Sequence, residues 1–60
     1  MEKTKDLILT SAMKQFARYG FKKTSLDDIV RDVKISKGTI YIYFKNKEDL
    51  FRQSAEIVVN

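Results

Sequence analysis

The sequence predicts an all-α domain, three helices followed by the start of a fourth. Three observations carry that expectation. The chain has no proline, which suits helices joined by short turns. Apolar residues return at helical spacing in one segment after another. Between those segments stand residues that start or stop helices: Thr4, Ser25, Ser36 and Asn46 as N-caps, Gly20 as a stop.

The first helix runs from a Thr4 cap to about Tyr19, with Ile8, Leu9, Ala12, Met13, Phe16 and Tyr19 in one apolar stripe. Gly20 ends it by taking positive φ, Phe21 follows as an apolar anchor, and Lys22-Lys23 forms a short exposed link. Thr24-Ser25 opens the second helix, where Ser25 and Asp28 make a capping box with Asp in the usual Glu position. That helix covers about Leu26 to Asp32, and Leu26, Ile29, Val30 and Val33 give it one buried side. Val33-Lys34-Ile35 is the turn.

Ser36 begins the third helix. At about 100° per residue, Ile40 and Phe44 share a face that anchors it to the core. The opposite side carries Gly38, Tyr41, Ile42 and Lys45, with Thr39 and Tyr43 on the flanks. Surface helices normally turn charges to water, whereas this face turns out a glycine, tyrosines and an isoleucine between lysines. Two short helices joined by a tight turn, the second facing outward, constitute a helix-turn-helix. Lys45-Asn46-Lys47 then breaks the pattern, and Asn46 caps a fourth helix with Glu48 and Asp49 in its first turn. Leu50, Phe51, Ser54, Ile57 and Val58 give that helix an apolar side. Ile57-Val58-Val59 is an odd terminus for so small a core, so the chain reads as the N-terminal part of something longer.

Composition narrows the function. Sixty residues allow one small domain with a modest core, and 43% hydrophobic residues suffice for a globular chain. Without cysteine or histidine there is no disulfide framework, zinc site, catalytic triad or histidine acid–base chemistry. Asp27/Asp28 and Glu48/Asp49 are adjacent rather than facing, and they sit at helix starts. The expectation is therefore a protein that is not an enzyme and carries no cofactor or metal. No apolar run approaches the ~20 residues of a membrane span, and no signal peptide is evident. Cytoplasm is the expected compartment.

The net charge is +4, and its distribution says more than its size. From Leu7 to Leu26 the charges are Lys14, Arg18, Lys22 and Lys23, with no acid. From Val33 to Lys47 they are Lys34, Lys37, Lys45 and Lys47, again with no acid. The expected partner is anionic.

Several segments together resemble the N-terminal, homeodomain-like DNA-binding domain of the tetracycline-repressor (TetR) family. They are Ile8-Leu9 through Phe16, Gly20-Phe21, Thr24-Ser25-Leu26 with Ile29, Ile35 to Tyr41, Tyr43-Phe44 and Lys47-Glu48-Asp49-Leu50. The order and spacing of these segments make the likeness specific, and it covers nearly the whole chain. It implies residues 1–46 as a helix-turn-helix domain, and residues 47–60 as the start of a helix linking to a C-terminal domain that dimerises and binds a small ligand. It further implies a bacterial repressor, a homodimer through that missing domain, on a pseudo-palindromic double-stranded DNA operator. The sequence departs from the family at Lys34, where glycine is usual, and at Ser11 and Gln15, where apolar or small residues are preferred. A non-glycine residue at positive φ costs about 1 kcal/mol.

The candidate DNA contacts are Thr24, Ser25, Lys34, Ser36, Lys37, Gly38, Thr39, Tyr41, Ile42, Tyr43, Lys45 and Lys47. Lys37, Lys45 and Lys47 flank the outward helix as phosphate partners, although each alone also reads as a solvated lysine. Thr24 and Ser25 read as caps, and the same helix start can offer an amide to a phosphate. Gly38 lets backbone approach the groove, and Ile42 can meet a thymine methyl. Tyr41 points outward, while Tyr43 lies nearer the buried edge with its hydroxyl toward a phosphate. Phe16, Phe21, Phe44 and Phe51 are assigned to the core. The competing reading is a three-helix protein-interaction module anchored by Tyr41 and Ile42.

Overall fold

The computed structural model describes residues 3–59, with side chains as far as residue 56. Its helices are α1 (Lys3–Tyr19), α2 (Leu26–Val33), α3 (Lys37–Tyr43) and α4 (Lys47–Val59). α1 is the central element and packs on both α2 and α4, while α3 packs on α2. Its buried face is Ile8, Leu9, Ala12 and Phe16, joined by Leu26, Ile29 and Val30 of α2, Ile40 of α3, Phe44, and Leu50 of α4. Burying each large aliphatic side chain contributes about 1.5–3 kcal/mol. The core thus continues into the first half of α4.

Helix ends follow the local chemistry. Gly20 takes φ 92° and donates its N–H to the Phe16 carbonyl at 3.0 Å. At the start of α2 the Ser25 hydroxyl accepts the Asp28 N–H at 3.2 Å, and Asp28 Oδ2 accepts the Ser25 N–H at 3.2 Å. The capping box is therefore complete with Asp in the acidic position. The Ser25 N–H foremost, with the Ser25 hydroxyl beside it, holds the Asp28 carboxyl below its ordinary value. Lys34 ends α2 in the left-handed region, φ 66° and ψ 48°, and both it and Ile35 donate backbone N–H groups to Val30 O. Ser36 caps α3 by accepting the Thr39 N–H at 3.2 Å. Asn46 does the same for α4, taking the Asp49 N–H at 2.8 Å, while Asp49 Oδ2 accepts the Lys45 N–H at 3.0 Å.

Three expectations from the sequence need correction. Thr4 lies inside α1, whose first turn already includes Lys3, so it is not the cap. Tyr19 is 55% exposed despite its place on the apolar stripe. It is the last residue of α1, and Phe21 folds back onto Phe16 instead, with ring centroids 5.5 Å apart. Phe51 is 45% exposed, although its ring meets Phe16 and Phe21 edge-on at 5.3 and 5.2 Å. It caps the core rather than filling it. The expected apolar contribution of Ile57, Val58 and Val59 lies outside the described side chains.

The polar residues of α1 have a structural reason that periodicity did not supply. Ser11 is buried and donates its hydroxyl to Asp32 Oδ2 at 2.7 Å. Gln15 Nε2 donates to Ser11 Oγ at 3.2 Å and to the Asp28 carbonyl at 3.4 Å. Together they form a hydrogen-bonded seam between α1 and α2, and no buried side-chain polar atom among the described residues lacks a partner.

Candidate nucleic-acid interface

α3 is held by one side only. Ile40 is fully buried and Phe44 nearly so, and the opposite side leaves Ile42 77% and Tyr41 50% exposed. Gly38 lies on that exposed side, where an added Cβ would meet only Ser36 Oγ, at an ordinary 3.9 Å. Nothing within the domain therefore requires glycine there. Thr39 is half-buried and its hydroxyl lies 2.9 Å from that of Ser36. Tyr43 is half-buried and packs against the core, its ring 6.4 Å from that of Phe44.

The cations divide into two kinds. Lys34, Lys37 and Lys45 are exposed around α3. Lys37 Nζ lies 3.1 Å from Asp27 Oδ1, and that hydrogen-bonded ion pair raises the ammonium's pKa above its ordinary value. The pair ties the start of α3 to the start of α2 and keeps the exposed Ser25 cap on the same side. Sequence reasoning missed it, since Asp27 and Lys37 have no local spacing rule to join them.

Lys47 is of the other kind. It is half-buried, and its ammonium donates to the carbonyls of Phe21 at 2.7 Å and Thr24 at 3.0 Å while lying 4.3 Å from the Phe21 ring centroid. The alternative reading of Lys47 as a solvated lysine does not hold. Its charge fastens the first residue of α4 to the α1–α2 link. Thr24 is also turned inward, 1% exposed, with its hydroxyl within hydrogen-bond distance of the Gln15 and Gly20 carbonyls at 3.2 and 2.9 Å. Its side chain caps the end of α1 rather than the start of α2, and its backbone is engaged as well, the N–H with the Phe21 carbonyl at 3.4 Å and the carbonyl with Lys47 at 3.0 Å.

The site thus gathers Ser25, Lys34, Ser36, Lys37, Gly38, Tyr41, Ile42 and Lys45 at the surface, with Thr39 and Tyr43 partly covered and Thr24 and Lys47 beneath. Among the described residues no helix is long and apolar enough to cross a membrane. The sequence model of the family described as "Bacterial regulatory proteins, tetR family" matches residues 8–53. The chain belongs to that family. It is similar to a helix-turn-helix transcriptional regulator of Bacillus subtilis named YhgD, 49% identical over 78% of this chain and 25% of the relative. It is similar as well to IcaR of Staphylococcus epidermidis, named a negative regulator of the biofilm operon icaADBC, 39% identical over 93% of this chain and 30% of the relative. A probable repressor of the acrEF/envCD operon of Escherichia coli is 39% identical over 85% of this chain and 23% of its own length. The chain therefore spans less than a third of the length of each of these relatives. No solved structure matches it.

Proposed function

We propose that this domain binds double-stranded DNA sequence-specifically, with α3 in the major groove, as the reading head of a ligand-responsive transcriptional repressor. The observation that carries the reading is the outward face of α3, where Ile42 and Tyr41 stand in solvent beside a glycine that the fold does not need. An apolar side chain at that place fits a thymine methyl, and the glycine allows backbone to approach base edges. Lys34, Lys37 and Lys45 supply phosphate contacts around it, and Ser25 adds the start of α2. Lys47 and Thr24 shape this face from beneath, and Ser36, Thr39 and Tyr43 support its helix.

The names of the Staphylococcus and Escherichia relatives support repression as the outcome. In this reading residues 1–46 form the DNA-binding unit, and residues 47–60 begin a helix leading to a domain that dimerises and binds a small ligand. The whole protein acts in the bacterial cytoplasm as a homodimer on a pseudo-palindromic operator, without enzymatic activity.

The test is Gly38→Glu. The substitution adds bulk and negative charge on an open surface, so circular dichroism should be unchanged while binding to duplexes enriched by the wild-type chain is abolished. Wild-type affinity should fall steeply with salt, with log K changing by about 0.9 per phosphate neutralised for each tenfold in salt. Binding that ignores both the charge and the salt would favour the protein-interaction module instead.

A further inference from the structure

A second surface carries unspent positive charge. Between α1 and α2 runs an open groove of about 470 Å³, walled by Lys14 and Arg18 of α1, Lys23 of the link and Arg31 of α2. Its two acids are already engaged. Asp28 accepts the Ser25 N–H at 3.2 Å and faces Arg31 at 3.5 Å, while Asp32 accepts the Ser11 hydroxyl at 2.7 Å. Among the described residues no carboxylate comes within ion-pair distance of Lys14, Arg18 or Lys23. Four cations against two acids leave the groove with a surplus of two positive charges.

We propose that this groove binds backbone phosphates of the same duplex, beyond the bases that α3 reads; the inference rests on the DNA-binding reading above. Position supports it. Asp28, in the groove wall, is the capping partner of Ser25, so the groove opens beside the start of α2. The Asp27–Lys37 pair joins that start to α3, so a duplex seated on α3 passes the mouth of the groove. Lys14 and Arg18 are one turn apart, about 6 Å along the axis. A polymer carrying one charge per ~1.7 Å of its axis offers more than one phosphate within that span.

The experiment compares one duplex in two lengths. A sequence enriched by the wild-type chain from a random library is prepared trimmed to the enriched bases, and extended by about one helical turn on each side. Wild type should bind the extended form several-fold more tightly. The triple variant Lys14→Gln, Arg18→Gln, Lys23→Gln should lose that advantage, binding the extended duplex about 10-fold more weakly than wild type and the trimmed one within about twofold. Its salt slope on the extended duplex should be smaller by about 2–3. Arg52→Gln, which removes a charge elsewhere, should affect both lengths alike.

All three residues are exposed, so the variant should fold, as circular dichroism would check. Lys14→Gln alone should give about a third of the slope change. An equal loss on both lengths, or no loss, overturns the inference alone. So does a variant that keeps its DNA affinity and loses binding to poly-glutamate, which would make the groove a site for acidic protein. A wild-type chain that enriches no duplex overturns the DNA-binding reading and this inference with it.

Discussion

Ile42 and Lys34 show how differently single residues can be fitted to a small domain. Ile42 is 77% exposed and contributes almost nothing to the core. Ile42→Ala should leave the unfolding midpoint nearly unchanged, because surface substitutions usually fall within about ±0.5 kcal/mol. In duplex titrations it should weaken binding by about 1 kcal/mol, with the loss concentrated at a T·A pair. A loss of stability with full DNA affinity would assign the side chain to the core. Lys34 is the reverse case, a residue whose backbone matters more than its side chain. It holds φ 66°, a conformation disfavoured by a Cβ, in order to let two N–H groups reach the Val30 carbonyl. Lys34→Gly should therefore raise stability by about 0.5–1 kcal/mol in urea unfolding, relief of strain outweighing the greater freedom of the unfolded chain. The same variant should flatten the salt dependence if the Lys34 ammonium contacts phosphate.

At the scale of elements, the hydrogen bonds of Lys47 join α4 to the α1–α2 link, beside the edge-on contact of Phe51 with Phe21. Lys47 satisfies two carbonyls and lies against the Phe21 ring, and Phe21 in turn packs on Phe16 and Phe51. Removing the ammonium leaves the Phe21 and Thr24 carbonyls without that donor, and a hydrogen bond to a charged group contributes about 1.5–3 kcal/mol. Since the site is only half-buried, Lys47→Ala should destabilise by about 1–2 kcal/mol, read as a lower urea midpoint. Its salt slope on DNA should change by less than that of Lys37→Ala. A slope reduced by a full unit with stability intact would restore Lys47 to the role of a plain phosphate contact.

For the molecule as a whole, stability in acid depends on two helix caps. Asp28 and Asp49 are both held below their ordinary value, each chiefly by a backbone N–H, from Ser25 and Lys45 respectively. A depressed folded-state pKa stabilises above the unfolded value and loses that contribution as pH falls through the folded one. The thermal midpoint should therefore hold down to about pH 4, close to the ordinary 3.8, and decline below it. Asp28→Asn combined with Asp49→Asn should start lower at neutral pH and decline less in acid. Parallel acid profiles for wild type and variant would show that other carboxyls govern the transition. A domain of this size has little core in reserve, so the loss of two caps should be visible in the global transition.

What the sequence by itself determined is the set of elements and their ends, the start of α1 excepted. Gly20, Ser25 with Asp28, Ser36 and Asn46 act through bonds spanning a few residues, so their roles could be read from spacing alone. The outward face of α3 was legible for the same reason, because 100° per residue fixes which side opposes Ile40 and Phe44. Tertiary structure alone decided which polar residues turn inward. The Thr24 hydroxyl and the Lys47 ammonium were candidates for an outside partner until backbone carbonyls of α1 and the link were placed beside them. Ser11 and Gln15 looked like flaws in an apolar stripe until Asp32 of α2 stood opposite. The physical reason is common to all four. A polar side chain is drawn to whatever donor or acceptor the fold leaves unsatisfied, and each of these four finds at least one partner 9 or more residues away, whose approach no local period records.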